Sequence, residues 1–151
     1  FNIIFVNNYD IGNTNRVLQL VCLKHKYSDY NILVGNTHLT FPEDNQDRLK
    51  RKAQINDIIN KIESNINEAK NDHEINAVIL CGDFNCNYSE HESQTCIENG
   101  FKSSFRELNN KYLNRNPVTH YNHNKQKVGV DYIFYKNVSS MNSIKCTKSN
   151  I

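Results

Sequence analysis

The stretch Val78-Ile79-Leu80-Cys81-Gly82-Asp83-Phe84-Asn85 decides the fold class. A short apolar run closed by glycine and polar residues reads as a buried strand that leaves the core at its polar end. Side chains alternate along a strand, so Asp83 and Asn85 fall on the same side of the chain where it emerges. A carboxylate beside a carboxamide suits phosphodiester hydrolysis, which needs a base or orienter for water and a neutral donor for charge developing on phosphorus. The same residue types also open turns, so this stretch by itself leaves both readings standing.

Working outward, apolar or alternating runs predict further strands at Asn2–Val6, Arg16–Lys24, Asn31–Thr37 and Val130–Tyr135, with the first of the quoted kind spanning Ala77–Phe84. The polar stretch Asn7–Asn15 reads as the hairpin connection between the first two. Between the third and fourth strands, Leu49, Ile55, Ile58, Ile59, Ile62 and Ile66 recur at helical spacing opposite Arg51, Lys52, Asp57 and Lys61, which predicts an amphipathic helix packed on a sheet. A second helix is announced by Ser89-Glu90-His91-Glu92 as a capping box and is closed by Gly100. This order predicts a layered α/β domain. The polar tail from Asn137 to Ile151 is expected to be weakly ordered.

Bulk properties exclude several classes. No apolar run in the 151 residues approaches the ~20 that a spanning helix needs. A net charge of +2 neither marks nor rules out a nucleic-acid partner. Five cysteines without a CxxC pair argue against a disulfide framework or a zinc site, and favour a reducing, intracellular and cytoplasmic setting. Phe1 opens directly into a strand-like run, so the chain is expected to be a piece of a larger domain.

Two further segments carry chemistry. In Val34-Gly35-Asn36-Thr37-His38-Leu39, His38 stands at a strand end where an imidazole can donate to a phosphate oxygen. In Gly129-Val130-Asp131-Tyr132-Ile133-Phe134-Tyr135, Asp131 opens a strand and can orient a histidine. The pair His120 and His123 is read as substrate-facing in preference to a metal site. Arg48, Lys50, Arg51 and Lys52 read as a solvated helix face in preference to a track for a nucleic-acid backbone, Cys81 as a core residue, and Phe134 and Tyr135 as core and rim, with Tyr132 or Phe134 an alternative stacking surface for a base.

In this order, Asn-Thr-His-Leu, an amphipathic helix, Gly-Asp-Phe-Asn and Val-Asp-Tyr-Ile-Phe resemble the C-terminal half of the endonuclease/exonuclease/phosphatase superfamily. The branch with nocturnin and the carbon-catabolite-repression deadenylases is the nearest in pattern. Thr37 to Pro42 and His120-Tyr121-Asn122-His123 add to the likeness, which runs from Arg16 to Tyr135. The resemblance implies a two-sheet α/β sandwich of the DNase I-like type, incomplete here, with residues 1–151 forming the C-terminal part of one domain. It implies a metal-dependent phosphodiester hydrolase acting on nucleic acid, RNA favoured, or on another phosphodiester. Asp83 would orient or deprotonate water, Asn85 would stabilise the transition state, His38 would contact the phosphate with Asn36 supporting its loop, and Asp131 would hold a histidine. A magnesium ion, with manganese as the substitute, would polarise the phosphate, although no metal ligand can be assigned here.

The chain departs from the family pattern at two points. The segment bearing the metal-binding glutamate is absent, and so is the Ser-Asp-His histidine that pairs with the Asp131 position. Little activity is therefore expected from these residues alone. The competing expectation, from another class, is a non-catalytic binding or scaffold domain that kept the fold.

Overall fold

The computed structural model describes residues 1–108, 117–139 and 143–148. Eleven elements follow one another among them: β1 (Asn2–Ile11), β2 (Arg16–Lys24), β3 (Asn31–His38), α1 (Asn45–Ala69), β4 (Ala77–Asp83), α2 (His91–Glu98), β5 (Lys102–Ser103), α3 (Ser104–Leu108), β6 (His120–Tyr121), β7 (Lys127–Val128) and β8 (Asp131–Asn137). Six strands form one sheet in the order β1-β2-β3-β4-β8-β5, and β6 with β7 forms a separate small sheet. Among the described residues the one parallel pairing in the large sheet, β3 with β4, is bridged by α1 as a βαβ unit.

The sheet is covered on one face. Leu18, Leu20 and Cys22 of β2, Leu33 of β3, Val78 and Leu80 of β4 and Phe134 of β8 are fully buried on the helix side. Against them lie Ile55, Ile58, Ile59, Ile62 and Ile66 of α1, all buried as the helical spacing predicts. Phe84, Tyr132 and Phe134 pack edge-on and stacked at centroid distances of 5.3 to 5.6 Å, so neither Tyr132 nor Phe134 is open to a base. On the other face Val17 and Ile133 are exposed.

Several boundaries differ from the sequence reading. β1 runs on to Ile11 because the polar stretch after Val6 stays in register with β2, and the turn shrinks to residues 12–15, with Gly12, Asn13 and Asn15 at positive φ. The second helix starts at His91, not Ser89. Glu90 is its N-cap, and its carboxylate accepts from the Asn87 backbone and side chain instead of from the helix. Its end is as expected: Gly100 at φ +84 lets Phe101 donate to Cys96 and Gly100 to Ile97, a Schellman closure. In the tail, Asn137 clasps Ile144 through two hydrogen bonds, and the other described tail residues are irregular.

The largest correction is Arg51. It is 2% exposed, although its charge placed it on the solvent side. Four and seven residues before Ile55 and Ile58, it lies on the apolar stripe itself. Nη2 bonds Glu90 at 2.9 Å, Nε stands 3.3 Å from Glu92 without hydrogen-bond geometry, and Nη1 has no partner among the described residues. Leu49, placed on the stripe from its hydropathy, is exposed. Gln54, also fully buried, donates to Thr14 and Thr40 and accepts from the Thr40 backbone, fixing the segment that follows His38.

A buried ion pair stripped of one partner leaves a charge without water or counterion. Arg51→Ala is therefore expected to lower stability by ~3 to 5 kcal/mol in urea denaturation. Burial raises the Glu90 carboxyl, but hydrogen bonds from Asn87 and Arg51 outweigh it and hold it below its ordinary value of 4.5. Its contribution is thus full above 4.5 and is lost as pH falls through the lower folded value. Glu90→Gln should flatten the acid limb of the stability profile, and an unchanged limb would remove Glu90 from this account.

Candidate active site

The parallel β3–β4 pair brings two strand ends to the same edge of the sheet, and antiparallel β8 begins there. In the ladders His38 pairs with Asp83, and Asp83 with Asp131. Directly paired residues project from the same face. Three of the residues singled out in the sequence thus stand side by side on the open face, on adjacent strands roughly 4.8 Å apart.

Gly82 makes this alignment possible. It sits at φ +139 opposite Thr37, and a Cβ there would lie 1.8 Å from the Thr37 carbonyl oxygen. No other residue type fits so close a backbone approach. The glycine of Gly-Asp-Phe-Asn is thus a packing requirement one residue before Asp83.

Asp83 divides its two oxygens between two tasks. Oδ1 accepts from the Asn85 backbone at 2.8 Å and closes an Asx turn, while Oδ2 stands 3.7 Å from His38 Nε2. The turn reading of Asp83 holds, and its second oxygen is left toward His38. Asn85 lies at φ +49, and its Nδ2 donates one proton to the Leu39 carbonyl at 2.9 Å. An amide nitrogen carries two protons, so the second remains to be given elsewhere. Leu39 in turn donates its N–H to the Asp83 carbonyl, tying the residue after His38 to the same turn.

The other assigned residues part company. Asp131 is not left waiting for a histidine: His120 Nδ1 lies 2.9 Å from its Oδ2, brought there by the β6–β7 hairpin. His123 falls in the turn of that hairpin, exposed, beyond the residues that reach Asp131. Asn36 is in strand β3, as the predicted strand Asn31–Thr37 has it, and faces the open side two residues before His38, next to Cys81. Cys81 is also corrected. It is half-buried on the open face, its thiol donates to the Gly35 carbonyl, and burial pushes its pKa up, which disfavours the thiolate.

A cavity of about 360 Å³ adjoins the row, lined by Cys81, Asp83, Arg106, Thr119, Asp131 and Ile133 among others. Arg106, whose guanidinium packs on the Tyr88 ring at 3.6 Å, is also among the residues lining the cavity. Sequence reasoning passed over Arg106, since a single arginine in a polar segment has no spacing to mark it. Among the described residues, no three His, Cys, Asp or Glu side chains come close enough together to hold a metal ion, so these residues by themselves do not fit one.

Solved structures share this arrangement of strands. The human nocturnin catalytic domain with bound sulfate anion superposes with a TM-score of 0.73 at 23% identity, over 89% of this chain and 48% of that one. A truncated Caenorhabditis elegans TDP2 gives 0.64 at 22% identity, over 91% and 53%. The endonuclease/exonuclease/phosphatase from Bacteroides vulgatus gives 0.65 at 17% identity, over 89% and 54%. The chain has the endonuclease/exonuclease/phosphatase fold. It spans about half the length of these structures with that fold. It also matches an uncharacterized calcium-binding protein of Arabidopsis thaliana at 32% identity over 111 residues, 72% of this chain and 22% of that protein. No family profile matches the chain. Among the described residues, no helix is long and apolar enough to cross a membrane.

Gly82→Ala should separate β3 from β4 at the rim and destabilise the protein by ~3 kcal/mol or more, since strain and overpacking each cost that order. A shift in the urea midpoint measures it; a wild-type midpoint would show that the close approach of Thr37 is dispensable.

Proposed function

We propose that these residues form the phosphoryl-transfer edge of a phosphodiester hydrolase acting on nucleic acid, RNA in preference. The observation that carries the reading is the adjacency of His38, Asp83 and Asp131 on three neighbouring strands. A water held by Asp83 Oδ2 attacks phosphorus, with the carboxylate taking its proton. The imidazole of His38 donates to a non-bridging oxygen, and the free Asn85 amide proton stabilises the charge that develops there. Arg106 in the cavity wall favours an anionic substrate.

The fold shared with the nocturnin catalytic domain supports the reading at the level of architecture. Magnesium, with manganese as substitute, belongs to the proposal only with donors beyond the described set, and no step above runs through an ion. The calcium in the name of the Arabidopsis protein is not carried over for the same reason.

Asp83→Asn in the full-length protein should lower hydrolysis of an RNA oligonucleotide by about 10²- to 10⁴-fold, the contribution of a positioned acid or base. An asparagine oxygen can still accept from the Asn85 backbone, so the urea midpoint should move little. Binding of the oligonucleotide without hydrolysis by the wild-type protein would favour the non-catalytic alternative. Wild-type rates in the variant would reduce Gly-Asp-Phe-Asn to a strand-ending turn.

A further inference from the structure

A second cavity, of about 390 Å³, opens between the first turns of α1 and the start of α2. α1 follows the strand that ends in His38, and α2 follows the strand that ends in Asp83, so both helices begin at the end of the sheet that carries the candidate site. We infer that this cavity seats a backbone phosphate of the nucleic-acid substrate, beyond the phosphate that is cleaved. The inference takes its ligand from the hydrolase reading above.

The floor of the cavity is Arg51, 2% exposed, whose Nε and Nη1 have no hydrogen-bond partner among the described residues. A guanidinium has five N–H donors, and the one bond from Nη2 to Glu90 leaves most of them unspent. On the rim stand Arg48 and Lys52, both exposed, four residues apart and hence on one face of α1. Neither forms an ion pair among the described residues, whereas Lys50 on the neighbouring face is paired with Asp47. The opposite wall is the N-terminus of α2, which reaches the cavity through His91 and Glu92. Its N-cap Glu90 makes no capping hydrogen bond, because that carboxylate is turned to Asn87 and Arg51. The positive end of the helix is therefore left for an acceptor from outside.

Two carboxylates line the same cavity, and both are committed to Arg51. Glu90 bonds it at 2.9 Å, and Glu92, 1% exposed, stands 3.3 Å from its Nε. Arg48, Lys52 and the α2 N-terminus thus set the charge that an approaching ligand meets. Among the described residues no three His, Cys, Asp or Glu side chains could hold a metal ion, so Glu90, His91 and Glu92 do not make a cation site. The cavity is also tied to the site by the fold. Gln54 of α1 bonds Thr40 and Thr14 and holds the segment between His38 and α1, which fixes the separation of the two phosphate positions. A substrate must then be longer than a dinucleotide to use both.

Binding of a single-stranded RNA oligonucleotide by the full-length protein is measured over a salt series. The variant Arg48→Gln/Lys52→Gln is compared with wild type and with Lys26→Gln/Lys70→Gln, which removes the same charge at the opposite end of the sheet and of α1. Loss of one phosphate contact should lower the slope of log K against log salt by about 0.7 in the first variant. Affinity should fall about 10-fold or more, the size of a lost hydrogen bond between charged groups. The fall in kcat/KM on the oligonucleotide should exceed the fall on a dinucleotide, which has no second phosphate, by about the same factor. The control pair should keep the wild-type slope. No change in the first variant, or an equal change in the control pair, overturns the inference and returns Arg48 and Lys52 to a solvated helix face. If wild type cleaves neither substrate, the hydrolase reading fails, while the salt slopes still decide whether the cavity takes a phosphate. Failure of wild type to bind the oligonucleotide overturns both.

Discussion

The missing Cβ of Gly82 is the constraint on which the rest of the site depends. β3 and β4 run parallel, and their last paired residues meet only because the Thr37 carbonyl can lie where a side-chain carbon would otherwise be. With that approach in place, His38 and Asp83 become neighbours, Asp83 Oδ1 closes the turn to Asn85, and Asn85 reaches back to Leu39. The site is thus one backbone contact propagated through a short series of hydrogen bonds.

The two faces of the sheet have opposite tasks, and the polar groups sort accordingly. On the helix face, buried polar side chains such as Gln54 are bonded to several partners, since an unpaired polar group there costs more than its hydrogen bond contributes. Arg51 is the imperfect case, with Glu90 bonded, Glu92 close and Nη1 unpartnered among the described residues. On the open face, the side chains at the rim are left half-exposed with capacity to bond something else. A row of two carboxylates flanked by two imidazoles offers both acceptors and donors within one strand spacing of each other.

Shared architecture with nocturnin, TDP2 and a bacterial endonuclease/exonuclease/phosphatase extends over about half of each of those chains. At 17 to 23% identity this likeness speaks for the fold. Function has to be argued from the site, because one fold carries many chemistries. Here the argument rests on which side chains the strand register makes adjacent.

Much of this was legible in the sequence for local reasons. The bounds of β2 at Arg16 and Lys24, the isoleucine stripe of α1 and the strand ending at Gly82-Asp83 all follow from periodicity, which acts over a few residues. The same periodicity placed residue 51 on the buried stripe, but the charge of arginine hid it; only α2, about 40 residues later, supplies the carboxylates that make burial tolerable. Cys81 was assigned to the core because a continuous apolar run does not reveal which of its two faces stays open. The contact of Asp131 with His120, from a hairpin eleven residues upstream, was not legible because no spacing rule links the two. The sequence by itself determined the elements and the candidate residues, since these depend on short-range spacing. Tertiary structure alone decided which residues meet, because contacts such as Gly82 with Thr37 and His120 with Asp131 depend on strand register and on where the chain returns.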